Sequence, residues 1–181
     1  MRSYAMAALV LLAGCGSAGS VSGTVSGNAL SAKDGFGNSA AVEGGRTVTI
    51  LLGDQSGLCD AARSNKEPKG LTFLLISLSD ATVNGTSVTL STPSAGDYNV
   101  ASAQNAMQGK NAVASFSKSD ASCRGTSLFA NSGTVTVKSI DATTGKASGT
   151  FDLTFQSDHL TGSFEVDGCS VPQADGGTTC S

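Results

Sequence analysis

The side chains that can carry chemistry are few. Cysteines stand at 15, 59, 123, 169 and 180, the lone histidine is His159, and 14 carboxylates are spread along 181 residues. Cysteine offers three chemistries: acylation on sulfur, disulfide formation and metal ligation. Ligation calls for thiols at short spacing, as in Cys-x-x-Cys, or for clustered histidine. The cysteines here are far apart in sequence, so no metal or other cofactor is expected. Setting Cys15 aside leaves Cys59, Cys123, Cys169 and Cys180, an even set that reads as two disulfides in an exported chain. Four cysteines allow three pairings. We favour Cys59 with Cys169, which leaves Cys123 with Cys180.

A serine-hydrolase arrangement would have to use His159 as its base. His159 follows Asp158 at a short break between two strand-like runs and is expected as a solvated turn residue. The Gly19–Gly23 run, GSVSG, is read as spacer and strand start, because a nucleophile elbow needs a strand-to-helix turn in an α/β sheet. Asp54, Asp60, Asp97, Asp152 and Asp158 are scattered, and a glycosidase needs two carboxylates ~5–10 Å apart across a cleft. Asp34 and Asn38 around Gly35 match no calcium ligand set. Asn84-Gly85-Thr86 reads as a surface turn. The aromatic residues are mostly Phe at alternating positions and belong to a core. No catalytic residue is expected, and the chain is read as a non-enzyme.

The N-terminus has the order of a secretory signal: Arg2 supplies a positive charge, Ala5–Ala13 is an uncharged apolar run, and small residues follow. The run is too short to span a bilayer, which takes ~20 apolar residues. The stretch Leu12-Ala13-Gly14-Cys15 resembles the lipobox of bacterial lipoproteins. That resemblance implies cleavage before Cys15, a diacylglycerol on its sulfur and usually an acyl chain on the new amine. Two or three chains hold a membrane far better than one, each buried methylene contributing ~0.8 kcal/mol. Gly16, in place of Asp, points by the enterobacterial sorting rule to the outer membrane. The expected partners are the membrane, through Cys15, and envelope proteins or a small apolar ligand. Residues 1–14 carry Arg2 as their only charge, so the mature chain has ten basic and fourteen acidic side chains, a net charge of −4. No clustered Lys and Arg marks nucleic-acid binding.

The elements that must position these residues read as strands. Gly, Ser and Thr are abundant and Trp is absent, which suits a sheet with many turns. Strands are expected at 21–32, 46–52, 71–78, 87–90, 98–101, 112–118, 132–141, 146–156 and 159–166. The run 71–78 is apolar on both faces, as in a strand covered on each side. Residues 33–45, 79–86 and 119–131 are expected as turns or loops, and 57–66 as one short helix or a loop carrying Cys59. The fold class is all-β: an antiparallel β-sandwich or barrel of about eight or nine strands with at most one short helix. The domain plan is a signal at 1–14, a flexible tether at 15–20, a β domain at 21–169 and a polar tail at 170–181.

Two blocks carry a further resemblance. SGTVTVKSID, GKASGTFDLTF and DHLTGSFEVDGC, together with the N-terminal SVSGTVSGNAL, resemble uncharacterised lipoproteins common in myxobacteria and their relatives. The resemblance implies a lipoprotein with a β fold and brings no activity with it. The expected role is structural or interaction-based in the envelope; the alternative is a small-ligand or lipid-binding β-barrel module.

Overall fold

The computed structural model describes residues 18–100, 108–172 and 178–181. The expected signal at 1–14, the lipidation residue Cys15 and part of the expected tail fall outside them. Thirteen strands and one helix follow the chain as β1(Gly19–Gly23), β2(Asp34–Val42), β3(Gly45–Gly53), α1(Leu58–Arg63), β4(Lys66–Glu67), β5(Thr72–Asn84), β6(Ser87–Ser91), β7(Gly96–Val100), β8(Gly109–Ser119), β9(Gly125–Phe129), β10(Ser132–Ile140), β11(Ala147–Phe155), β12(Asp158–Gly168) and β13(Thr179–Cys180).

Eleven strands form one sheet, and eight of them close into a barrel in the order β5-β3-β2-β12-β11-β10-β7-β8, with β8 returning to β5. The all-β class is the architecture found, in its barrel form. The longest ladder is the closing one, running from Thr72↔Lys118 to Ala81↔Gly109. Most pairings are antiparallel, but two seams are short parallel contacts. Asp167↔Phe36 and Gly168↔Gly37 join β12 to β2, and Asn99↔Asn111 and Val100↔Ala112 join β7 to β8. Parallel contact joins strands whose connections cannot be hairpins, and sequence periodicity carries no signal for it. Beside these seams β1 pairs with β12 and β9 with β8, while β6 extends β5.

The period-two alternation of the sequence places the core. Val48, Ile50 and Leu52 of β3, Leu74, Ile76 and Leu78 of β5, and Leu153 of β11 are fully buried, with Phe151 and Phe155 beside them. In the β11–β12 ladder two glycines sit directly opposite two phenylalanines, Gly149↔Phe164 and Phe151↔Gly162. A Cβ on Gly162 would stand 2.6 Å from the Phe151 ring, and one on Gly149 would stand 2.7 Å from the Phe164 ring. Each ring therefore lies flat across the strand where its partner has no side chain, as in the aromatic rescue of glycine in sheets. The S-G-T-F and T-G-S-F repeats of the sequence thus encode one reciprocal packing motif.

Residues 24–33 do not continue β1, as a strand at 21–32 would. They cross one end of the barrel. Ser26 N–H donates to Asp158 Oδ2 at 2.7 Å, Lys118 Nζ donates to Asn28 Oδ1 at 2.7 Å, and Lys33 N–H donates to Gly53 O at 2.9 Å. Val25, Leu30 and Ala32 point inward as part of the core. The fold also takes up residues that composition assigns to a tether: Ala18 is buried, its carbonyl accepts from Glu165 N–H at 2.8 Å, and β1 starts at Gly19.

Three expected loops are strands. Residues 34–42 form β2, which ladders with β3 from Asp34↔Gly53 to Val42↔Gly45. Its small residues conceal it, and one is required: a Cβ on Gly37 would overlap the carbonyl of Gly145. The β5 strand runs on to Asn84 and turns through Gly85-Thr86 into β6. Within 119–131, GTSLF forms the exposed strand β9. In each case pairing with a neighbour outweighs weak local propensity.

Both disulfides join the favoured partners, Cys59–Cys169 with Cα atoms 5.8 Å apart and Cys123–Cys180 at 5.6 Å. Both hold the C-terminal segment. Thr179 and Cys180 also form β13 in parallel with β4, and Ser181 N–H donates to Glu67 O at 2.9 Å.

Two outcomes test this architecture. Gly162→Ala is expected to destabilise the domain by about 1–3 kcal/mol through overpacking, read as a lower urea midpoint at unchanged slope. Replacing Cys59 and Cys169 together by serine is expected to cost about 2–5 kcal/mol, read the same way.

Candidate functional site

The barrel interior is filled by side chains. Tyr98 and Phe155 are the largest of the fully buried ones, and the Phe116 and Phe155 rings meet edge to face at 6.4 Å between centroids. Among the described residues no buried side-chain nitrogen or oxygen lacks a hydrogen-bond partner. The buried side chains of the barrel strands form one continuous apolar cluster, the core.

Tyr98 shows how its one large polar member is satisfied. The hydroxyl donates to Ser94 O at 2.7 Å and accepts from Ser94 N–H at 2.9 Å. The arrangement resembles a tyrosine corner, in which the phenol bonds back to backbone a few residues upstream. Burial pushes the phenol pKa up, the Ser94 contact opposes this, and the charge of Asp80 adds to the rise.

His159 lies on the outer face of β12. Its Nε2 is 2.6 Å from Asp152 Oδ1, with both side chains more than half exposed. The adjacent Asp158 is committed elsewhere, to the Ser26 N–H. No serine or cysteine is hydrogen-bonded to the His159–Asp152 pair among the described residues, and solvent screens such an exposed contact. The central residue of GSVSG is Val21, so that run lacks the serine an elbow would need, and it lies in β1.

Several of the other carboxylates also have structural work. Asp34 accepts from Leu58 N–H at 3.0 Å at the start of α1, and Asp54 accepts from Thr72 N–H at 3.0 Å. Asp97 accepts from Thr136 Oγ1 at 2.7 Å, and Asp60 lies 3.7 Å from Arg63. Asp141 holds the β10–β11 turn, and the Thr143 N–H and Thr144 hydroxyl that it accepts lower its pKa. A hydrogen bond to Asp167 raises the pKa of Lys146. Among the described residues no three His, Cys, Asp or Glu side chains converge as a metal site would require.

One solvent-open cleft of about 240 Å³ lies on the outside of the barrel beside α1. Phe36 of β2 and Leu51 of β3 are cross-strand partners, and Phe73 of β5 lies beyond them. These outward side chains form its floor. Leu58 and Ala62 of α1 form one wall, and Asn65, Lys66 and Glu67 form a polar rim. Beneath it, Phe36, Leu58, Leu71 and Cys169 make a second apolar cluster, separate from the barrel core. The Cys59–Cys169 bridge pins a helix of six residues over that cluster, because a helix this short is not stable alone. The two-faced apolar run at 71–78 is the sequence signal for this cleft. Phe36 is missed because it falls in a stretch that reads as loop.

The Tyr98 geometry sets a pH dependence. The fold favours the neutral phenol, so this contribution is complete below the ordinary phenol range, about 10, and is lost as pH rises through the raised value. Tyr98→Phe is expected to cost about 1 kcal/mol at neutral pH and to flatten the alkaline loss of stability. Urea midpoints of both proteins across the alkaline range check it.

No protein-family model, curated protein or solved structure matches this chain.

Proposed function

We propose that the chain is a lipid-anchored protein of the bacterial cell envelope, sorted to the outer membrane. Its β-barrel domain has a structural or interaction role rather than an enzymatic one. Cys15 carries the lipid, and the domain works through its outer surface. The observation that carries this reading is the sequence Leu12-Ala13-Gly14-Cys15, which stands just ahead of Ala18, a residue already built into the β domain. A cleavage before Cys15 would remove the apolar segment and keep every residue of the described domain.

The filled interior supports surface interaction over enclosure of a ligand, since Tyr98, Phe155 and their neighbours occupy the space a ligand would take. The non-enzymatic part of the reading is supported by the exposed His159–Asp152 pair and by carboxylates spent on turns and strand ends.

Lipid attachment is tested in the native envelope. The wild-type chain is expected to take up labelled palmitate and to fractionate with membranes, whereas Cys15→Ser should appear as unprocessed precursor or in the soluble fraction. Membrane retention of a processed Cys15→Ser protein would overturn the anchor.

A further inference from the structure

The two disulfides differ in how far solvent reaches them. Cys169 is 1% exposed and sits in the apolar cluster of Phe36, Leu58 and Leu71, with Cys59 packed against it. Cys180 is exposed and Cys123 is half-buried. A solvent-open cleft of about 200 Å³, lined in part by Lys118, Ser119 and Gly125, also opens onto Cys123. Disulfide exchange begins when a thiolate reaches one sulfur of the bond, so access decides which bridge opens first. An anionic attacker loses hydration on entering an apolar cluster, which protects Cys59–Cys169 further.

The two ends of the exposed bridge are held unequally. Cys123 lies in a loop that closes on itself. Asp120 Oδ1 accepts from Ser122 N–H at 2.7 Å and from Arg124 N–H at 3.0 Å, and Asp120 N–H donates to Arg124 O at 2.8 Å. Cys180 lies in β13, a strand of two residues paired with β4, also of two. Backbone bonds join this segment to residues 65–69: Thr179 N–H to Asn65 O at 2.8 Å, Ser181 N–H to Glu67 O at 2.9 Å and Lys69 N–H to Ser181 O at 3.1 Å. Both residues of β13 are exposed, and neither enters an apolar cluster. A short ladder open to solvent belongs to the low-stability end of a structure and opens locally once its cross-link is gone.

We propose that Cys123–Cys180 is a reducible latch. A dithiol opens it selectively, and residues 178–181 then leave β4 while the barrel and the Cys59–Cys169 bridge persist. A thiolate of the reductant attacks Cys180 Sγ. The bond to Cys123 breaks, and its electron pair leaves on Cys123 Sγ, which takes a proton. The second thiol of the reductant then attacks the mixed disulfide and expels Cys180, which is protonated in turn. Two electrons and two protons pass to the protein, and the reductant leaves as a disulfide. In the reduced protein β4 has lost its strand partner, so the Asn65, Lys66 and Glu67 rim of the outer cleft changes with redox state. No step depends on Cys15.

The full exported chain, purified oxidised, is treated with dithiothreitol under native conditions and quenched at intervals with iodoacetamide. Peptide mass spectrometry then reads each cysteine, and hydrogen exchange reads the amides. Cys123 and Cys180 are expected to be alkylated at least about tenfold faster than Cys59 and Cys169. At that stage the amides of Lys69, Thr179 and Ser181 should exchange about tenfold faster or more, while those of the β5–β8 ladder keep their protection. Equal alkylation of all four cysteines, or earlier alkylation of Cys59 and Cys169, overturns the selectivity. Alkylated Cys123 and Cys180 with Lys69, Thr179 and Ser181 still protected overturns the release. The double variant Cys123→Ser with Cys180→Ser should show the same three loosened amides without reductant. Its failure to fold also overturns the proposal, because the bridge would then hold the domain rather than its last strand.

Discussion

Closing a ring of strands is the constraint on which this molecule depends. Every barrel strand must find a hydrogen-bonding neighbour on both edges, or leave backbone donors and acceptors to water or to another chain. The β5–β8 ladder meets this demand along ten consecutive residues of β5, Thr72–Ala81. The two parallel seams meet it over only two residue pairs each. The remaining edges near those seams are taken by strands outside the ring: β1 lies along β12 and β9 along β8. Much of the apparent irregularity of the sheet is therefore a consequence of closure. The short, uncharged β9 is present because β8 outruns its partner β7.

Closure also decides what the interior is for. An eight-stranded barrel is just wide enough for side chains to fill. Here a Tyr, several Phe and the branched aliphatics of β3 and β5 complete the filling. The reciprocal Gly–Phe pairs of β11 and β12 show the same economy at close range, each ring occupying the side-chain space that the opposite glycine leaves. With the core filled and one end crossed by residues 24–33, the barrel presents its outer faces to solvent.

The sequence is legible where side chains alternate strongly. The meander from Ser132 to Val166 and the strands around Ile50 and Ile76 are rich in β-branched, Leu and Phe residues, and their period matches the core face. It is not legible where pairing rather than side-chain chemistry decides. DGFGNSAAV looks like a loop, yet it forms a nine-residue strand because β3 lies beside it and Gly37 permits close approach to Gly145. The parallel seams join residues 131 positions apart, as at Asp167 and Phe36, and no local pattern encodes such a distance. Cysteine arithmetic narrows the bridges to three possible pairings, but only the fold brings Cys59 beside Cys169. The cleft was half visible, since apolar outward residues in 71–78 required a cover that sequence could not name.

That cover explains why the disulfides lie where they do. Both bridges hold the last part of the chain, one to α1 and one to the loop after β8. Neither joins two strands across the barrel interior. They fasten pieces too small to stay folded by burial alone: a helix of six residues and strands of two residues each at β4 and β13. Cross-linking distant residues removes conformational freedom chiefly from the unfolded chain. It is therefore an effective way to hold a short element that makes few contacts. The outer cleft thus has a rigid floor provided by the barrel and a wall secured by covalent bonds. Its shape is set in two independent ways, by hydrogen-bonded strands beneath and by a cross-linked helix beside them.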